Sequence, residues 1–158
     1  MKRLKIEPID AEAFAPFGQL LPPAPPGSDR QELIDELHNG RASARPRLSI
    51  ATTEPKALPL TAAQMERHVH SSQAFAPLDC ASYLVMVAPH DDGGMPDLEK
   101  VRAFRVPGDT GIYYNADTWH HPLTPLERIG RFAVLTFVDG TAADEQFVDL
   151  PQSVLIEE

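Results

Sequence analysis

Residues 83–114 read YLVMVAPHDDGGMPDLEKVRAFRVPGDTGIYY. Three short runs within them, Tyr83–Ala88, Val101–Val106 and Ile112–Tyr114, are rich in Val, Ile, Phe and Tyr, and Pro, Gly or Asp turns bound them. This is the pattern of strands set too close together to alternate with helices. Working outward, Leu4–Ile9, Leu48–Thr52, Met65–His70, Ile129–Val138 and Gln146–Leu150 carry the same signature, giving seven or eight strands. Helical patterns are short: Asp10 caps one turn through Ala11–Phe14 that Pro16 ends, and Asp29–Leu37 reads as a short helix stopped at Asn39-Gly40. The 16 prolines are spread along the chain and disfavour long helices, and Pro22–Ser28 reads as an exposed polyproline-prone loop. A wound parallel α/β sheet is thereby excluded. The expectation is an all-β, antiparallel double-stranded jelly-roll barrel with one or two short helices.

The chain of 158 residues predicts one domain, residues 1–158. With 14 Lys+Arg against 23 Asp+Glu, the net charge of −9 opposes binding to nucleic acid and to anionic membrane surfaces. The single cysteine, Cys80, cannot form an intrachain disulfide, and the N-terminus lacks the apolar run of a signal peptide. A cytoplasmic protein is expected.

The chemistry concentrates in Glu66-Arg67-His68-Val69-His70-Ser71-Ser72-Gln73. On a strand, period two puts Glu66, His68 and His70 on one face, so a carboxylate and two imidazoles point the same way. Trp119-His120-His121-Pro122-Leu123 forms a second polar knot, in which adjacent histidines of an extended chain face opposite sides. Glu66, His68 and one of His120 or His121 make an open set of two histidines and one carboxylate, with Gln73 as a weak fourth ligand through its carbonyl oxygen. Such donors suit nickel, iron, manganese or zinc, and spacing does not choose among them. Asp91-Asp92-Gly93-Gly94 lacks the ligand ladder of a calcium loop and reads as a hairpin turn. Nucleophile-elbow, dinucleotide and phosphate-loop motifs are absent.

Several segments together resemble the ureidoglycolate lyase family, over roughly Leu48 to Gly140 with a weaker echo at Ala13–Gly18. They are Leu58-Pro59-Leu60-Thr61, Glu66-Arg67-His68, Gln73-Ala74-Phe75, Pro96-Asp97-Leu98, Arg102-Ala103-Phe104, Gly111 with Tyr114, and Trp119-His120-His121-Pro122-Leu123. The resemblance implies a cupin barrel, a cytosolic homodimer, and cleavage of (S)-ureidoglycolate into glyoxylate and urea in allantoin breakdown. It also implies a divalent ion, nickel foremost, with zinc, manganese or iron as alternatives. By position in the cupin pattern, Glu66 stands at the first histidine site, His68 at the second, Gln73 at the carboxylate site and His120 at the second-motif histidine. His70 is additional, Tyr113 stands where asparagine is common, and about a dozen residues are missing between Asn39-Gly40 and Leu48.

The resulting expectation is a lyase acting on a small anionic hydroxy acid that chelates the ion, a step that needs no nucleophile. Glu66, His68, Gln73 and His120 hold the metal; His70, Tyr114 and His120 are the catalytic candidates; Arg102, Tyr113 and Trp119 are expected to bind substrate, Arg102 as the local cation. The homodimer would cover the edge of the strong strand Arg131–Val138. Two alternatives are a metal-dependent cupin of oxygenase type and a catalytically silent cupin that binds a small carboxylate.

Overall fold

The computed structural model describes residues 1–158 and places twelve strands in two sheets. In chain order they are β1 (Lys2–Pro8), β2 (Gly18–Leu21), β3 (Arg45–Thr53), β4 (Leu60–Arg67), β5 (Gln73–Asp79), β6 (Ser82–Ala88) and β7 (Arg102–Pro107), followed by β8 (Gly111–Tyr114), β9 (Trp119–His120), β10 (Thr124–Leu126), β11 (Gly130–Val138) and β12 (Gln146–Glu157). One helical turn, α1 (Ala11–Phe14), and one 3-10 turn, Ala142–Asp144, complete the regular structure. The Asp10 side chain accepts from Ala13 N at 2.9 Å and caps α1 as expected.

The larger sheet runs β10-β6-β7-β1-β12-β4-β9 and closes on itself because β9 also pairs with β6. Its ring encloses Met65, Leu84, Met86, Trp119, Val154 and Ile156. The second sheet, β2-β8-β5-β11-β3, packs on the ring's outside. Between the two sheets lies the other core, with Phe75, Ile112, Tyr114, Phe132 and Val134 from one side and Tyr83, Val85, Val87, Phe104 and Val106 from the other, closed at one end by Phe14 and Phe17. This is the all-β barrel expected from the short alternating strands.

Several boundaries differ from the sequence reading. β1 runs parallel to both of its neighbours, β12 and β7, the one parallel element in an otherwise antiparallel fold. Asp29–Leu37 forms no helix; most of it is exposed, Leu33, Ile34 and Leu37 are only partly buried, and so short a helix needs firmer packing to form. β11 is interior, paired on one side with β5 and on the other with β3. The exposed sheet edge on that side is β3, not Arg131–Val138. The Asp91–Gly94 turn is a hairpin turn as read, with Asp91 Oδ1 accepting from Gly93 N and Met95 N at 2.8 Å each.

Candidate metal centre

Glu66 on β4 and His120 on β9 are directly opposed. Their chain neighbours Met65 and Trp119 point into the ring core, so alternation turns Glu66 and His120 into the space between the sheets. His68 follows the end of β4. Its Nδ1 donates to Asp144 O at 3.0 Å, as His120 Nδ1 donates to Thr118 O at 2.8 Å. A carbonyl oxygen can only accept, so each ring carries its proton on Nδ1 and presents a bare Nε2. One donor atom from each of Glu66, His68 and His120 lies within 4.8 Å of the other two, with Glu66 Oε1 3.4 Å from His120 Nε2.

Both Nε2 atoms are buried without a hydrogen-bond partner, and so is Gln73 Oε1. Gln73 reaches the same space from the other sheet. It pairs with Tyr114 across β5 and β8, and the Tyr114 ring stacks on His120 with centroids 4.2 Å apart. Acceptors converging with no donor among them are left unsatisfied until a cation joins them. Two neutral imidazoles, a carboxylate and an amide oxygen therefore fit a divalent ion of the Ni, Fe, Mn or Zn type.

The electrostatics agree. Burial, reinforced by His120, holds His68 below the usual imidazole value and so in the neutral form that ligates. The Tyr114 phenol is pushed far up by burial and then by the Glu66 charge, so it remains an O–H donor.

Of the adjacent histidines, His120 faces the centre. His121 turns away, its Nδ1 at 2.9 Å from Pro122 O, and burial lowers its pKa to about 4. His70 is not brought in: β4 ends at Arg67, the chain turns through residues 68–71, and His70 lies by Gly40, whose N donates to His70 O at 2.7 Å. The shared face expected for Glu66, His68 and His70 stops at His68. Arg102 lies on the inward face two strands from His120, but its guanidinium is held by Glu7 at 2.8 Å over the Phe104 ring. Tyr113 faces the opposite side of β8 from Tyr114, paired with Gln19 and Ala74. Trp119 is buried in the ring core, its Nε1 donating to Gly94 O at 3.1 Å, with Arg67 stacked on it.

The sequence reading missed the support of His68. Asp144, whose carbonyl holds the His68 ring, is gripped by Arg41 at 2.7 Å, and Arg41 also meets Asp139 at 3.0 Å. The Asp144 carboxylate accepts from Asp139 N and Gly140 N, and closes the turn between β11 and β12. A signal was present in Thr141-Ala142-Ala143-Asp144, which has the spacing of a helix-start capping box.

A family model described as ureidoglycolate lyase matches residues 1–157. A ureidoglycolate lyase of Pseudomonas aeruginosa (strain LESB58) is 35% identical over 168 aligned positions, covering 99% of this chain and 97% of its own. One of Burkholderia mallei (strain NCTC 10229) is 36% identical over 163, covering 98% and 93%. Both alignments are longer than this chain of 158 residues, so those relatives carry residues that it lacks. Among solved structures, RmlC from Streptococcus suis superposes with a TM-score of 0.45 at 5% identity over 62% of this chain and 46% of its own. Matched from end to end by the family model and by relatives above 30% identity, the chain belongs to the ureidoglycolate lyase family.

Proposed function

We propose that the protein cleaves (S)-ureidoglycolate into glyoxylate and urea, in the cytoplasm and within allantoin breakdown, as a homodimer using a divalent ion, nickel foremost. The observation that carries the site is the convergence of Glu66, His68 and His120, with both imidazoles turned Nε2-inward by backbone carbonyls. Glu66, His68 and His120 would hold the ion, with Gln73 Oε1 as a fourth donor. When bound, the ion would supply Lewis acidity to the hydroxyl of an α-hydroxy acid.

The substrate is a hemiaminal, so breaking its C–N bond requires removal of the hydroxyl proton and delivery of a proton to the departing urea nitrogen. In net the hydroxyl proton ends on that nitrogen, and Tyr114, kept protonated and stacked on His120, is suited to hydrogen-bond the departing group from Oη without giving its own proton up. His120 both ligates and fixes that tyrosine. The chain offers no activated serine or cysteine at the centre, in keeping with a lyase that forms no covalent intermediate; Cys80 is buried elsewhere with its Sγ toward Ser82 O. No helix is long and apolar enough to cross a membrane.

The test is urea and glyoxylate release from ureidoglycolate by chelator-treated protein, repeated after adding nickel, manganese, zinc or iron. The metal-free protein should be inactive and at least one ion should restore turnover. If none of the four gives urea, the reading falls.

A further inference from the structure

The reading above leaves open what holds the substrate's carboxylate end, and the geometry points to Arg47. On the side of His120 toward the core between the sheets, the cavity bounded by Tyr83, Ile112, Tyr114 and Leu123 is only about 10 Å³, too small for anything beyond one water. Substrate therefore enters from the other side. There, an opening of about 400 Å³ is lined by His68, Arg47, Thr141, Asp144, Glu145 and Phe147.

The strand registers aim Arg47 into this opening. On the smaller sheet, Arg47, Thr136, Gln73 and Tyr114 are directly opposed across β3, β11, β5 and β8, so all four face the space between the sheets. On the larger sheet, His120, Glu66 and Phe147 form the facing row across β9, β4 and β12. The two rows meet at Tyr114 on His120 and open at Arg47 and Phe147, with His68 between.

Charge makes Arg47 the available cation at this opening. Arg41, Arg67, Arg102, Arg105 and Arg128 are each committed to a carboxylate, whereas the exposed Arg47, the one arginine or lysine lining the opening, has no carboxylate within 4.0 Å and its guanidinium makes no hydrogen bond. Asp144 at the same opening is already neutralised by Arg41, so Glu145 is the one uncompensated anion there. On a chain of net charge −9, an anionic substrate needs a cation of this kind. A planar guanidinium matches a carboxylate in two parallel hydrogen bonds, which a lysine does not reproduce. We propose that Arg47 is the residue that binds the carboxylate of the α-hydroxy acid, in the opening beside His68, and that Arg102 is not. This rests on the lyase reading for the identity of the acid but not for the anion site itself.

The experiment uses full-length, nickel-loaded protein with metal content measured for each variant. With ureidoglycolate, Arg47→Ala should raise KM about ten- to a hundredfold with a smaller change in kcat, the signature of lost ground-state binding, and Arg47→Lys should recover part of it. In parallel, calorimetry compares glycolate with its uncharged amide, glycolamide. The wild type should prefer glycolate and Arg47→Ala should lose that preference. Unchanged KM, an unchanged preference in Arg47→Ala, or no glycolate binding by the wild type overturns the proposal. If the wild type releases no urea but binds glycolate in an Arg47-dependent way, the anion site stands and the substrate reading alone falls.

Discussion

Glu66 sits between two imidazole nitrogens that have no donor of their own to offer it, an arrangement that favours cation binding over the stability of the metal-free protein. Two consequences of opposite sign follow from Glu66→Gln. The amide brings N–H donors to the bare Nε2 of His120, so the metal-free variant should gain about 1 kcal/mol from the new hydrogen bond, or about 3 °C in Tm for a chain of this length. It also removes the one anionic ligand, so affinity for nickel should fall more than a hundredfold, beyond the ten- to hundredfold loss usual for outlying partners of a ligand. His68→Ala should lose the ion as completely without the gain in Tm. Thermal melts of chelated protein, set against calorimetric titration with nickel, check both; if Glu66→Gln binds nickel as the wild type does, this strand end is not the metal site.

At the scale of elements, the turn between β11 and β12 decides where His68 points. Asp139 and Asp144 there are held below the usual carboxylate range: Asp139 chiefly by the hydroxyls of Thr141 and Ser43, Asp144 chiefly by the Asp139 backbone N–H and then by Arg41. Carboxyls lowered by folding contribute stability that is complete above their unfolded value of about 4 and is lost as pH falls through the folded values beneath it. The Tm gap between wild type and Asp139→Asn should therefore be widest near pH 7 and shrink below about pH 4; a gap constant from pH 7 to 2.5 contradicts the assignment. Arg41→Ala leaves both carboxylates without their cation and frees the His68 ring, so nickel affinity should drop about ten- to a hundredfold with the ligands intact.

The same elements show what the sequence could and could not disclose. The Glu66 and His120 positions were legible because period two works wherever a strand stays in one sheet. His70 was misplaced because the chain there leaves the larger sheet for the smaller one. Ser71 Oγ accepts from Phe137 N at 2.9 Å and Ser72 Oγ accepts from His38 N at 3.0 Å, long-range bonds that no local pattern reports. β5 went unread because Pro77 interrupts it, and the fold tolerates that proline beside an irregularity in the β11 register at Arg131/Phe132. Arg47 lies just before the strand read at Leu48–Thr52, and only the register shows that it shares a face with Gln73.

The whole molecule exposes 8425 Å², against about 7,900 Å² expected for a monomer of 17.4 kDa. Two of the most exposed apolar side chains within strands, Leu48 and Ile50, share one surface. On the outer face of the smaller sheet, β3 carries Leu48 and Ile50, 71% and 61% exposed, opposite Leu135 and Ala133 of β11, which in turn oppose Ala74 and Ala76 of β5. A nine-residue edge strand with exposed Leu and Ile and free backbone groups invites pairing, and a second copy supplies an edge of the same length and chemistry across a two-fold axis. This surface, rather than the interior strand β11, is where the proposed homodimer would form. Arg47 alternates with Leu48 and faces the other way, so the apolar contact made by Leu48 and Ile50 does not use the Arg47 side chain. Light scattering at micromolar concentration should return about twice 17.4 kDa for the wild type. Leu48→Glu with Ile50→Glu should halve the mass while leaving nickel affinity within about twofold, since neither side chain faces the metal centre. A wild-type mass near 17.4 kDa rules the dimer out, and a double variant that remains dimeric moves the interface to another surface.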